Sequence, residues 1–340
     1  MKKKLSLVMS VMLIFFTLVG CSNTSTKESV DSSNDVVKED VITSKDIKVC
    51  VPDGLPAISI AKLIKENKVI KDGYNIEYTI ENGAESLVTD VMKGEADIAV
   101  VPSNVAAIAY NKTEGMYKIA GTTGWGSMYI CSNEDINSIE DLKGREIYSL
   151  GKGLTPDIIT QTVLKDNGID VQNDVNFSYV NGVTELAPIV LSGKAEVAVL
   201  PEPALSAVTT KDESYTAKID LNKEWKKSNN SEYGFPQATI IVKKELIEND
   251  REFVDNILKA VDESTQFVYS DKDTLGTYCE EIGVSAEKAI IVKSIDNSNI
   301  KYVYIKDSYK EYETYFEKLN EFDPKTLGGK IPDEEIFMEK

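Results

Sequence analysis

Short apolar runs alternate with longer stretches of helical spacing over much of the chain, and the alternation predicts its elements. Ile47, Val49 and Val51 are separated by single residues, the period of a half-buried strand. A Pro/Gly-rich turn at 52–56 then leads into a predicted helix over 57–66, with Pro56 suited to its first turn. Residues 76–80 form the next strand. A helix begins at Asn82 or Gly83, has Leu87, Val88 and Val91 on its apolar face, and ends at Gly94. The continuous run 98–101 reads as a buried strand, followed by a helix through Val105, Ile108 and Ala109 with Ser103 as N-cap. This βαβαβα order calls for a parallel sheet with helices on both faces.

The pattern is then written a second time. Asn75-Ile-Glu-Tyr-Thr-Ile-Glu-Asn-Gly83 aligns with Asp174-Val-Asn-Phe-Ser-Tyr-Val-Asn-Gly182, and Gly94-Glu-Ala-Asp-Ile-Ala-Val-Val-Pro102 with Gly193-Lys-Ala-Glu-Val-Ala-Val-Leu-Pro201. Both blocks share an offset of 99 positions without a gap, and Leu87 on Leu186 and Gly54 on Gly153 keep it. A constant offset over this length predicts two similar lobes. The second begins with a strand at 146–150 and the turn 151–157, where Thr155 as N-cap, Pro156 and Asp157 suit a helix start.

Two strand-like crossings, at 122–129 and 235–240, bracket the second copy. The chain is therefore expected to leave lobe one, build lobe two and return, with the crossings as a hinge. Residues 245–321 read as mostly helical and 327–332 as an irregular tail. The resulting division is lobe one at 46–123 and 236–340, and lobe two at 124–235. The fold class is α/β, each lobe a mainly parallel sheet flanked by helices.

Composition narrows the chemistry. The chain of 340 residues has a formal charge of -18 and no histidine. A basic face for nucleic acid is not expected, and chemistry that needs histidine as base or metal ligand is struck out. Cys50, Cys131 and Cys279 form no CxxC pair and read best as buried free thiols; no metal site and no cofactor are expected. Cys21 is different. Lys2 to Lys4 and the apolar run 5–19 read as a signal peptide at 1–20. Leu18-Val19-Gly20-Cys21 resembles a bacterial lipobox, with ordinary cleavage near Gly20 and an incidental Cys21 as the weaker reading. Residues 21–45 are polar and read as a flexible tether, spanning roughly 25–30 Å.

In open α/β sheets ligands bind beyond the carboxyl ends of the strands. The turns there are 52–56, 81–84 and 102–104 in one lobe, and 151–155, 180–183 and 201–203 in the other. Facing each other, all six would line one cleft. The candidate ligand-binding residues are Asp53, Leu55, Ser103 and Asn104 from lobe one, and Gly153, Thr155, Asn181 and Glu202 from lobe two. Trp125 in the first crossing can stack on a planar ligand or pack the hinge, and Phe235, in the second, reads more as hinge structure than as ligand contact. Glu202 can cap its helix, contact ligand, or do both. Asp53, Asp157 and Glu202 outnumber Lys152 in these turns, and no arginine is present there. The balance favours a neutral or amine-bearing molecule over an anion.

The lipobox, the tether, Ser138-Ile-Glu-Asp-Leu-Lys-Gly144, the run from Gly193 to Pro203 with its Pro-Glu-Pro end, and Gly328-Gly-Lys-Ile-Pro332 resemble substrate-binding lipoproteins of ABC importers. The nearest group is the nitrate/sulfonate/taurine and thiamine-precursor binding type. That resemblance implies a two-lobed periplasmic-binding fold of the second type, closing on a small organic ligand and serving an ABC permease and ATPase. It also implies a monomer, held by lipid on the extracytoplasmic face of the cell membrane. A planar pyrimidine vitamin precursor fits the charge argument, with a sulfonate or other anion as the alternative. A ligand-sensing lipoprotein is the second reading. An enzyme is the third: pyrimidine-synthesis and chorismate-dehydratase-like proteins share the fold, but the missing histidine speaks against the first and the lipobox against both.

Overall fold

The computed structural model describes residues 45–82 and 84–340; the expected lipobox with Cys21 and nearly all of the expected tether lie outside them. The first pass of the chain runs β1 (Lys45–Pro52), α1 (Leu55–Ser59), α2 (Ala61–Glu66), β2 (Tyr74–Glu81), α3 (Ala84–Lys93), β3 (Ile98–Pro102), α4 (Ser103–Lys112) and β4 (Tyr117–Trp125). Next come β5 (Met128–Ser132), β6 (Glu146–Leu150), α5 (Thr155–Asp166), β7 (Asn176–Val180), α6 (Val183–Leu191), β8 (Val197–Pro201), α7 (Ala204–Lys211), β9 (Thr216–Asp220) and α8 (Leu221–Asn229). The return is β10 (Pro236–Lys243), α9 (Lys244–Asn249), α10 (Arg251–Ser270), α11 (Lys272–Ile282), α12 (Lys288–Ser294), β11 (Ile300–Tyr304) and α13 (Ile305–Phe322).

Two sheets result, in the orders β11-β4-β10-β3-β1-β2 and β7-β6-β8-β5-β9. β1 pairs in parallel with β2 and β3, and β6 in parallel with β7 and β8. β10 inserts antiparallel between β3 and β4, and β5 antiparallel between β8 and β9. Each sheet thus receives the strand that follows the chain's exit from the other. Successive buried positions on β3 and β8 explain their unbroken apolar runs, since helices cover both faces.

Apolar residues of α1, α2, α10 and α11 cover one face of the first sheet. Its other face shares a continuous core with the second sheet through Trp225, Phe235 and Tyr315, all fully buried. A smaller core lies beneath α6 and α7. Cys50, Cys131 and Cys279 are buried free thiols, and burial raises all three, Cys50 to about 11. None of the described helices is long and apolar enough to cross a membrane.

Four local expectations need correction. The helix over 57–66 is two short helices broken at Ile60. Ser103 and Thr155 are the first residues of their helices, not N-caps, and neither helix has a side-chain cap at its N-cap position. The Asp157 carboxylate reaches back to the Gly153 N–H at 2.8 Å instead. The stretch 245–321 is not all helical, because β11 lies within it and edges the first sheet against β4.

Candidate functional site

The two crossings lie side by side. In the first, the Gly126 N–H donates to the Phe235 carbonyl of the second at 3.0 Å. Asn299 grips the first crossing, its amide donating to the Gly126 carbonyl at 2.5 Å. Asn222 grips the second, accepting from the Phe235 N–H at 3.1 Å and donating to the Tyr233 carbonyl at 3.3 Å. Approach this close requires glycine. A Cβ on Gly126 would overlap the Phe235 ring, and one on Gly234, whose φ is +101°, would overlap the Asn222 amide.

Above the crossings, at the carboxyl ends of β1 and β8, lies a cleft of about 580 Å³, inside the usual range of small-molecule sites. One wall is the turn after β1, with Asp53, Leu55 and Pro56, backed by Ser285, Ala286, Glu287 and Ile290. The opposite wall is the Pro-Glu-Pro turn with Ala207, Thr210 and Lys211 of α7. Gln237, at the start of β10, and Val183 complete it. Asp53 fixes its own wall: its Oδ1 accepts from the Gly54 and Ser285 N–H groups at 2.8 and 3.1 Å, and Oδ2 from the Ser285 hydroxyl.

Glu202 is only 4 % exposed, so both of its oxygens need donors. Oε2 accepts from the Ser206 N–H at 3.0 Å, and Oε1 from the Ser206 hydroxyl at 3.0 Å and the Asn297 amide at 3.4 Å. The capping role is therefore realised in the first turn of α7. Burial pushes the carboxyl above the ordinary range, opposed by the Ser206 and Asn297 donors and the nearby Lys293 charge. Asn297 belongs to the return segment, so its contact spans the cleft. Two more contacts on that flank do the same. The Tyr129 hydroxyl donates to the Asn297 carbonyl at 2.6 Å, and the Lys293 ammonium to the Thr210 hydroxyl at 2.9 Å.

Of the residues anticipated from sequence, the cleft gathers Asp53, Leu55 and Glu202. The others lie elsewhere. The Ser103 hydroxyl is sealed against Thr239 at 2.6 Å, in a buried network that Tyr312 and Thr122 complete. Trp125 donates its indole N–H to the Lys301 carbonyl at 3.1 Å and packs on Tyr233 with ring centroids 5.0 Å apart. It lines a separate cavity with Tyr233, Asp262 and Tyr302, where the Lys301 ammonium already sits over the Tyr233 ring at 4.8 Å. Phe235 is core, edge-on to Trp225 at 5.6 Å. Asn104, Gly153, Thr155 and Asn181 are not among the cleft walls, and the amide of exposed Asn181 donates to Glu185 at 3.3 Å. Sequence reasoning missed Gln237, Lys211 and the 285–290 wall. Pro236, within the second crossing, was the available signal for Gln237; a segment amid helices offered none.

The cleft can therefore enclose a small molecule between an apolar surface (Leu55, Pro56, Ala207, Ile290) and three carboxylates (Asp53, Glu202, Glu287) with Lys211 opposing them. Two sheets of mainly parallel strands, joined by a double crossing and flanking an open cleft, match the architecture of ABC-transporter binding proteins. A family model described as NMT1/THI5 like matches residues 70–275, and the chain belongs to that family. The Bacillus subtilis (strain 168) protein YtlA, which carries the name of a binding protein, is 22% identical over 253 residues, 72% of this chain and 73% of that protein. A solved ABC transporter structure from Parabacteroides distasonis is 28% identical with a TM-score of 0.75, covering 88% of this chain and 99% of its own. The periplasmic aliphatic sulphonate binding protein SsuA from Escherichia coli shares the fold at 12% identity and a TM-score of 0.68, covering 87% and 92%.

Proposed function

We propose that the protein captures a small planar organic molecule, neutral or amine-bearing, and hands it to an ABC permease and ATPase. In this reading it performs no catalysis and works as a monomer on the extracytoplasmic face, anchored by lipid on Cys21. The observation that carries the ligand class is the buried Glu202 carboxylate in a cleft whose acidic groups outnumber its ammonium. A bound amine gains from that charge, whereas a sulfonate would meet three carboxylates and no arginine on the walls. An aminopyrimidine vitamin precursor has the matching shape and polarity.

Glu202→Gln tests this directly. Glutamine keeps an acceptor for Ser206, so ligand-free thermal melts should be nearly unchanged. Calorimetric affinity for an amine-bearing ligand should fall by roughly 1.5–3 kcal/mol, about ten- to hundredfold. A lowered melting temperature with retained affinity would leave Glu202 as a cap alone. The anchor has its own test, since Cys21→Ala should leave an unprocessed precursor or release the protein from membranes. Unchanged detergent partitioning of the mature form would refute it.

A further inference from the structure

Gln237 lines the cleft, and one hydrogen bond fixes which way its amide faces. The Ser127 N–H lies 2.9 Å from it, and the Ser127 hydroxyl 3.3 Å from the same atom. A backbone N–H can only donate, so the atom facing it is the amide oxygen. The amide nitrogen is thereby left out of the contact with Ser127, and among the described residues it makes no hydrogen bond to protein. Ser127 is fully buried, and its carbonyl accepts the Glu202 N–H at 3.0 Å. The same residue of the first crossing thus holds a donor of the cleft on one side and an acceptor on the other.

We infer that Gln237 is a specificity-determining residue: a neutral, pre-oriented pair of N–H donors that requires a hydrogen-bond acceptor on the ligand, and that couples this contact to the first crossing through Ser127. The inference rests on the cleft being the ligand site. Ionised carboxylates in the walls can only accept, so they select donors on the ligand. Gln237 adds the opposite demand. A ligand satisfying both carries an acceptor as well as a donor.

Two variants separate this role from a structural one. Gln237→Glu keeps an oxygen for Ser127 but removes the donors, and Gln237→Met removes both. Calorimetry would compare 4-amino-2-methylpyrimidine with 3-methylaniline, which has the same outline but C–H in place of the ring nitrogens. At a pH where the ring nitrogens are unprotonated, the wild type should prefer the pyrimidine at least tenfold, and both variants should bring that ratio close to one or below it. In Gln237→Glu the ligand-free melting temperature should be nearly that of the wild type. Equal binding of the two compounds by the wild type, or a ratio retained in both variants, overturns the assignment and leaves the cleft reading standing. A wild type that binds neither compound overturns the amine-bearing ligand class, and this inference with it.

Discussion

Glu202 holds an acid where its charge is costly until a positive group joins it, and that has a consequence in pH. Its folded pKa is raised by burial, so between the ordinary carboxylate range and the raised value the folded state binds more protons than the unfolded chain. Stability from this group is therefore full at low pH and is lost as pH rises through the folded pKa. Ligand binding runs the other way, because an amine favours the ionised acid. With a probe whose amine stays charged over this window, affinity should rise with pH and binding should release protons on the acid side. Titrations in buffers of different ionisation enthalpy, beside melts of wild type and Glu202→Gln, measure both effects. Affinity flat in pH, or equal melting slopes in the two proteins, would exclude the titration. Glu202 was legible in the sequence because Pro201 and Pro203 pin it at a strand end. Ser103 has the same position at the same offset, yet it is sealed by Thr239 and Tyr312, which arrive from the return segment. Sequence locates a strand end, and distant partners decide whether its side chain meets ligand or core.

At the scale of elements, the duplication was legible because it is covalent periodicity. The offset of 99 carries β3 onto β8 and the first part of β4 onto β9. It also carries Gly54 onto Gly153, both at positive φ, where glycine adopts the turn without steric cost. What the repeat could not convey is the exchange of antiparallel strands, since β10 and β5 enter from outside each copy. β11 escaped notice for a different reason. It is five residues between helices, and its pairing partner β4 lies far back in the chain. The six strand-end turns lie three to a sheet by topology, but the return segment at 285–290 forms the wall opposite α7. The predicted ring of six turns became a narrower cleft for that reason.

At the scale of the molecule, the contacts beside the crossings differ on the two flanks. On one, Trp225, Phe235 and Tyr315 form an apolar cluster in the core that the two sheets share, and Lys318 pairs with Asp166 at 2.8 Å between α13 and α5. Truncating such a buried aromatic costs about 3–5 kcal/mol, so this cluster is suited to persist as a fulcrum. On the other flank, where α12 packs on α7, the side-chain hydrogen bonds between the two sides are Asn297 to Glu202 and Tyr129, and Lys293 to Thr210. Hydrogen bonds of that kind exchange with water at a small net cost, and rotation of one lobe against the other can break and remake them. A ligand touching both the Asp53 wall and the Glu202 wall favours the conformation in which both contacts are made. Small-angle scattering of ligand-free protein should therefore give a smaller radius of gyration once a saturating ligand is added. Scattering that stays the same at saturation, from a sample shown to be ligand-free at the start, would mean that the cleft binds without closing.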